Sequence, residues 1–173
     1  THTVRQKLAG ARARGASFTF ISPLANDFPS DMNAEWLPII PGTDVAMMLG
    51  LAHVLVTEEL HDRTFLERYT VGYDRFENYL LGREDGQHKS PEWAAAICNI
   101  DPETIRKLAR KMASSRTLIT VSHSLQRADY GEQPVWMGIV LAAMLGQIGL
   151  DGGGFSYSLG ALGNIGKNLL AVP

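Results

Sequence analysis

The run Thr117–Phe155, TLITVSHSLQRADYGEQPVWMGIVLAAMLGQIGLDGGGF, constrains this chain most, because it sets strand, polar loop, apolar helix and glycine turn in unbroken succession. Thr117 to Val121 is β-branched and apolar, as a buried strand requires, and it stops at Ser122-His123-Ser124, where polar side chains cluster at its carboxyl end. In open α/β sheets, ligands bind outside the carboxyl ends of the strands. Pro134 marks a first helical turn, and no polar side chain interrupts Val135 to Leu145, which predicts a helix buried on all sides. A bilayer span needs about 20 apolar residues. Glu132-Gln133 and Gly146-Gln147 close this run sooner, so it reads as a core helix and not a membrane span.

Composition sets the outer bounds. With 173 residues, 45% hydrophobic and 20% charged, the chain can build one globular domain with a real core. A net charge of -2 gives no general attraction to nucleic acid. Cys98 is the only cysteine, so neither an intrachain disulfide nor a cysteine metal cluster is expected, and no metal ligand is assigned. The opening THTVRQKLAGARARGAS lacks the apolar core of a secretory signal, and both this end and the closing Leu170–Pro173 read as cut.

Taken in order, the chain alternates helix and strand signals, which predicts an α/β fold. Val4, Leu8 and Ala11 recur at helical spacing before Gly15, and SFTFI (17–21) is a strand ended by Ser22-Pro23. The long loop PLANDFPSDMNAEW reads equally as a functional loop or flexible surface. Trp36 to Ile40 is a short edge strand running into Pro41-Gly42-Thr43-Asp44. Thr43 or Asp44 can cap a helix over 45–58 with Val45, Met48, Leu49, Ala52 and Val56 as its apolar stripe, and His53 reads as a satisfied, partly buried histidine. Two short helices are predicted around Thr70-Val71-Gly72, with a surface turn at 83–86. Ser90-Pro91 and Asp101-Pro102 each pair a cap with a first-turn proline; the second helix turns Ile105, Leu108, Ala109 and Met112 inward and Arg106, Lys107, Arg110 and Lys111 to solvent.

Chemistry is most concentrated at Ser122-His123-Ser124 with Gln126 and Arg127, on the loop after the Thr117 strand. Hydrolysis is disfavoured, because no Gly-x-Ser-x-Gly elbow surrounds either serine. Gly152-Gly153-Gly154 follows a helix, whereas phosphate-cradling loops precede one, so it reads as a helix stop and tight turn. On its residues alone, Asp44 is a helix cap.

QRADYGEQPVWMGIVLAAMLGQIGLDGGGF, LPIIPGTDVAMMLGLAHVL, ERYTVG (67–72), YLLG (79–82) and ETIR (103–106) together resemble the molybdopterin-dependent oxidoreductases of the dimethyl sulfoxide reductase family, nearest to its biotin sulfoxide and trimethylamine N-oxide reductases. The resemblance implies a Rossmann-like three-layer domain, a short, mostly parallel sheet flanked by helices, with residues 1–173 forming one internal fragment of a longer enzyme. It implies molybdenum bis(molybdopterin guanine dinucleotide) as cofactor, with a metal ligand and a first strand that lie upstream. Cofactor contacts are implied for Ser22, Asn26, Gly42, Thr43, Asp44, Ser122 and Gln126, and catalytic roles for His123, Gln126 and Arg127. The Asp44 carboxylate would accept N–H bonds from guanine. The implied reaction is oxygen-atom transfer from a small S-oxide or N-oxide, with the remaining domains of the same enzyme as partners and no turnover by this chain alone. A non-catalytic nucleotide-binding or assembly domain is the alternative. Two departures stand out: Ser122-His123 replaces the family's common Gly-Trp, and Asp151 its usual proline.

Overall fold

In the computed structural model, residues 2–157 are described, with side chains from Arg5 to Ser156; the cut-looking end Leu170–Pro173 lies outside them. These residues hold seven α-helices and four short strands in mixed order. They are α1 (His2–Ala13), β1 (Thr19–Ile21), β2 (Glu35–Leu37), α2 (Asp44–Thr57), α3 (Arg63–Tyr69), α4 (Tyr73–Leu80), α5 (Pro91–Cys98), α6 (Pro102–Ser114), β3 (Leu118–Val121), α7 (Glu132–Met144) and β4 (Gly154–Tyr157).

Local chemistry accounts for the helix boundaries. Ser90 Oγ accepts the Trp93 N–H at 3.3 Å and Asp101 Oδ2 the Thr104 N–H at 2.9 Å, so both Pro-primed caps form. Asp62 caps α3 in the same way through Phe65 N–H at 2.8 Å. At the start of α2 Thr43 takes the cap position without a capping bond. Its hydroxyl turns back to donate to the Ile40 carbonyl at 2.6 Å, and Asp44 is the first helical residue. The capping role expected for this pair is therefore absent.

α2 lies at the centre, packed against α5, α6 and α7. Ala46, Met47, Leu49, Leu51, Ala52, Val54 and Leu55 are all buried, so the helix is enclosed nearly all round and not along one stripe. Gly50 lets α5 approach: a Cβ there would lie 2.8 Å from Ala94 Cβ. Ile105, Leu108, Ala109 and Met112 of α6 complete the core as the periodicity predicts. The Ile105 and Leu55 side chains, fully buried, each contribute roughly 1.5–3 kcal/mol of hydrophobic stabilisation. His53 departs from expectation, because both of its ring nitrogens are buried without a hydrogen-bond partner. Burial, then the neighbouring charge of His88, holds its pKa below the usual histidine value.

The strands form two separate two-stranded parallel ladders where one sheet was expected. β1 pairs β2 with Phe20 opposite Trp36, and β3 pairs β4 with Ile119 opposite Phe155. Strand β4 is an element that the sequence reading did not name. The glycine turn exists, with Gly152 at φ 75°, but Gly154 already belongs to the ladder. Gln147 sets its level: its buried amide accepts Thr117 N–H at 2.6 Å and donates to the Ser115 carbonyl at 2.9 Å. A second correction concerns α7. Met137, Leu141 and Met144 are buried and Gly138 faces the β3·β4 ladder, but Trp136 is 62% and Ile139 41% exposed. The helix is therefore not buried on all sides.

Candidate functional site

Both groups of predicted residues sit at the carboxyl ends of parallel strands, as the strand-end rule requires. β1 ends at Ser22, whose backbone continues the pairing by donating to Leu37 O at 3.2 Å. The Ser22 hydroxyl is buried and donates to Asp27 Oδ2 at 2.9 Å, while the Ser22 carbonyl accepts Trp36 Nε1–H at 2.8 Å. These bonds hold Ser22 as the anchor of its loop. Asn26 stands exposed in the adjoining 3₁₀ turn Ala25–Asp27.

From β2 the chain passes to Ile40, whose N–H donates to the Cys98 carbonyl at 3.2 Å, tying the following turn to the end of α5. Gly42 then adopts φ 79° with open space around its Cβ position, a conformation that a side chain would strain. This turn delivers Asp44 half-buried at the head of α2. Burial raises its carboxyl pKa, opposed in part by its own backbone N–H. No side chain of the described residues donates to it. Its charge in turn helps burial to push the Cys98 thiol up. What results is a desolvated acceptor at the positive end of a 14-residue helix, suited to a ligand that brings N–H donors.

The second group follows β3. Ser122 caps a 3₁₀ segment, His123–Arg127, by accepting the Ser124 N–H at 3.2 Å, and the two serine hydroxyls share a hydrogen bond of 2.8 Å. Their mutual engagement disfavours either as a nucleophile. His123 is half-buried, and Gln126 and Arg127 are exposed. Gln126 rims a cavity of about 560 Å³ whose other lining residues are Glu132, Val135, Trp136 and Ile139. The rim is held tightly, because a Cβ on Gly131 would lie 2.2 Å from the Gln126 carbonyl oxygen. Tyr130, just before Gly131, takes φ 55° and is 79% exposed, a strained conformation for a bulky residue.

Ser22 and Asp44 thus belong to the β1·β2 end, and Ser122, His123, Gln126 and Arg127 to the β3·β4 end. No hydrogen bond among the described residues links Ser22 or Asp44 with Ser122 or Gln126. Sequence reasoning missed Tyr130, whose left-handed backbone has no sequence mark except the following glycine. It also missed Trp136 and Glu132, because an unbroken apolar run hides which face will be open. Among the described residues no group of three or more His, Cys, Asp or Glu side chains could hold a metal ion, and no helix is long and apolar enough to cross a membrane.

Comparison with known proteins gives the chain's family. The chain is 50% identical over 147 residues to a trimethylamine-N-oxide reductase of Haemophilus influenzae, covering 85% of this chain and 18% of that protein. It is 47% identical over 153 residues to a biotin sulfoxide reductase of Cereibacter sphaeroides, covering 88% and 21%. The chain therefore spans about a fifth of the length of these relatives. Among solved structures, acetylene hydratase from Pelobacter acetylenicus superposes with a TM-score of 0.72 at 26% identity, over 82% of this chain and 19% of that one. The profile of the molybdopterin oxidoreductases matches residues 1–169, and this chain belongs to that family.

Proposed function

We propose that this chain holds the guanine end of a molybdopterin guanine dinucleotide and lines the approach to the reacting centre of an enzyme that reduces an S-oxide or N-oxide by oxygen-atom transfer. Asp44 carries the reading. A half-buried carboxylate with no side-chain donor among the described residues, its pKa raised by burial, is stabilised by whatever brings it N–H groups. The N1 and N2 hydrogens of guanine do so as a pair, and the fit is chemical: acceptor to donors, at a turn that Gly42 leaves open. Thr43 shapes that turn through Ile40, Ser22 anchors the neighbouring loop, and Asn26 presents an exposed amide beside it.

When bound, the molybdenum cofactor supplies the two-electron redox chemistry. The chain's own residues bind and orient. Ser122 and Gln126 offer hydroxyl and amide groups at the β3 end, Arg127 the donors of a guanidinium, and His123 an imidazole whose ring nitrogens can donate or accept a hydrogen bond. The named relatives are reductases of N-oxides and S-oxides, and the shared motifs support the same substrate class here. Likeness in fold to a hydratase does not decide the reaction. No observation favours the non-catalytic alternative.

The proposed architecture is one Rossmann-like three-layer domain over residues 1–173, with the two ladders joined into one sheet by a strand of the same polypeptide. Two-stranded pieces are marginal alone, and β1 and β3 expose Ile21 (37%) and Leu118 (43%).

Asp44→Asn in the full-length enzyme tests the site. It replaces one acceptor by a donor facing donors, which should cost about 1–3 kcal/mol of cofactor binding, about a tenfold or larger loss of affinity. Cofactor-free protein should behave oppositely. A carboxyl whose pKa is raised by folding is destabilising once ionised, so at neutral pH the neutral amide should leave stability equal or higher. Normal guanine-cofactor occupancy, or a lower melting temperature of the cofactor-free variant, rejects base recognition.

A further inference from the structure

The outward face of α7 is apolar where a free protein surface would be polar. Trp136 and Ile139, one turn apart, are 62% and 41% exposed, and Val135 beside them is half-buried. With Gln126 and Glu132 they line the cavity of about 560 Å³ described above. Nothing among the described residues covers them. The opposite side of the helix is fully engaged: Met137, Leu141 and Met144 enter the core, and Gly138 admits Phe155 and Val121 closer than any Cβ would allow.

The lining excludes an anionic ligand as the natural occupant. Its single charged group is the Glu132 carboxylate, it contains no cation, and three of its five residues are apolar. A contiguous apolar patch with a polar rim is the signature of a protein contact. The relatives supply the partner, since this chain spans only 18% and 21% of their lengths. We propose that the Val135–Trp136–Ile139 face is an intramolecular docking surface, covered by an apolar segment from the remaining four-fifths of the same reductase polypeptide, with a hydrogen-bond donor of that segment meeting Glu132. The inference rests on family membership and is independent of how Asp44 is used.

The test uses the full-length enzyme with Trp136→Cys and, separately, Ile139→Cys. Maleimide modification at each position is followed by peptide mass spectrometry in native and urea-unfolded protein, with and without bound cofactor. A covered face gives native labelling at least about tenfold slower than unfolded labelling at both positions, whether or not cofactor is bound and at any protein concentration. Native labelling within about twofold of the unfolded rate overturns the proposal. Protection that appears only in cofactor-loaded protein assigns the face to the cofactor, and protection lost on dilution assigns it to a second copy; each also overturns it. If Trp136→Cys does not accumulate as folded enzyme, the smaller change Ile139→Cys decides.

Discussion

α6 and α7 are each 13 residues long and pack against the same central helix, yet they meet the outside in opposite ways. α6 turns four apolar residues inward and closes its outer face with ion pairs: Arg110 grips both Glu58 oxygens at 2.7 and 2.8 Å, Arg106 joins Glu92 and Glu103, and Lys111 reaches Glu35 at 3.4 Å. The basic face points outward as expected, and three of its four cations are also ion-paired to neighbours. α7 has no polar side chain after Gln133, and its outer face is Trp136 and Ile139. α6 thus closes its own outer face with charge, while the open face of α7 is the one proposed above to meet another part of the polypeptide.

The comparison breaks most readily by exchanging the two outer faces. Ile139→Lys in the full-length enzyme should cost about 3 kcal/mol or more, as an unpaired charge placed at a covered contact, whereas Lys107→Ile on α6 should stay within about 0.5 kcal/mol. Equal melting temperatures for the two variants would remove the distinction between the helices.

A smaller effect tests the inner side of α7. A Cβ on Gly138 would lie 2.6 Å from the Phe155 ring and 2.9 Å from Val121 Cγ2, so Gly138→Val must displace the β3·β4 ladder. The expected cost is about 2 kcal/mol, overpacking offset in part by better helix propensity. Unchanged stability would mean that the helix and ladder are not packed as described.

The smallest effect belongs to α6. Its hydrogen bond from Arg110 holds the Glu58 carboxyl below the usual carboxylate range, and Arg106 does the same for Glu92. A depressed carboxylate pKa adds stability that is present above the unfolded value, about 4.3, and is lost as pH falls through the folded value. Glu58→Gln should therefore lower the melting temperature slightly at pH 7 and lose that difference in acid. A difference that does not change with pH would show that the pair contributes no charge-dependent stability, as many exposed pairs do not.

Much of the fold was legible because its signals are local. Caps at Ser90 and Asp101, first-turn prolines and the α6 periodicity act within four residues, and each reads the same in the sequence and in the structure. The candidate site was legible in part for the same reason. Pro41-Gly42-Thr43-Asp44 announces a turn into a helix, and Ser122-His123-Ser124 ends a β-branched run. Whether this pair caps the helix was not legible, since a cap and a ligand-facing carboxylate have the same spacing; the Thr43 hydroxyl turning back to Ile40 shows only that Thr43 makes no capping bond.

What the sequence by itself determined are the elements bounded by such short-range chemistry, together with the family carried by its longer motifs. The tertiary structure alone decided the rest: that the strands form two parallel ladders, that Gly154–Tyr157 pairs beside β3, that the Gln147 amide bridges Ser115 and Thr117, and which side of α7 stays open. These depend on partners far outside one helical turn, 16 positions away in the β1·β2 ladder and 36 in β3·β4, and an all-apolar helix has no polar stripe from which its orientation can be read.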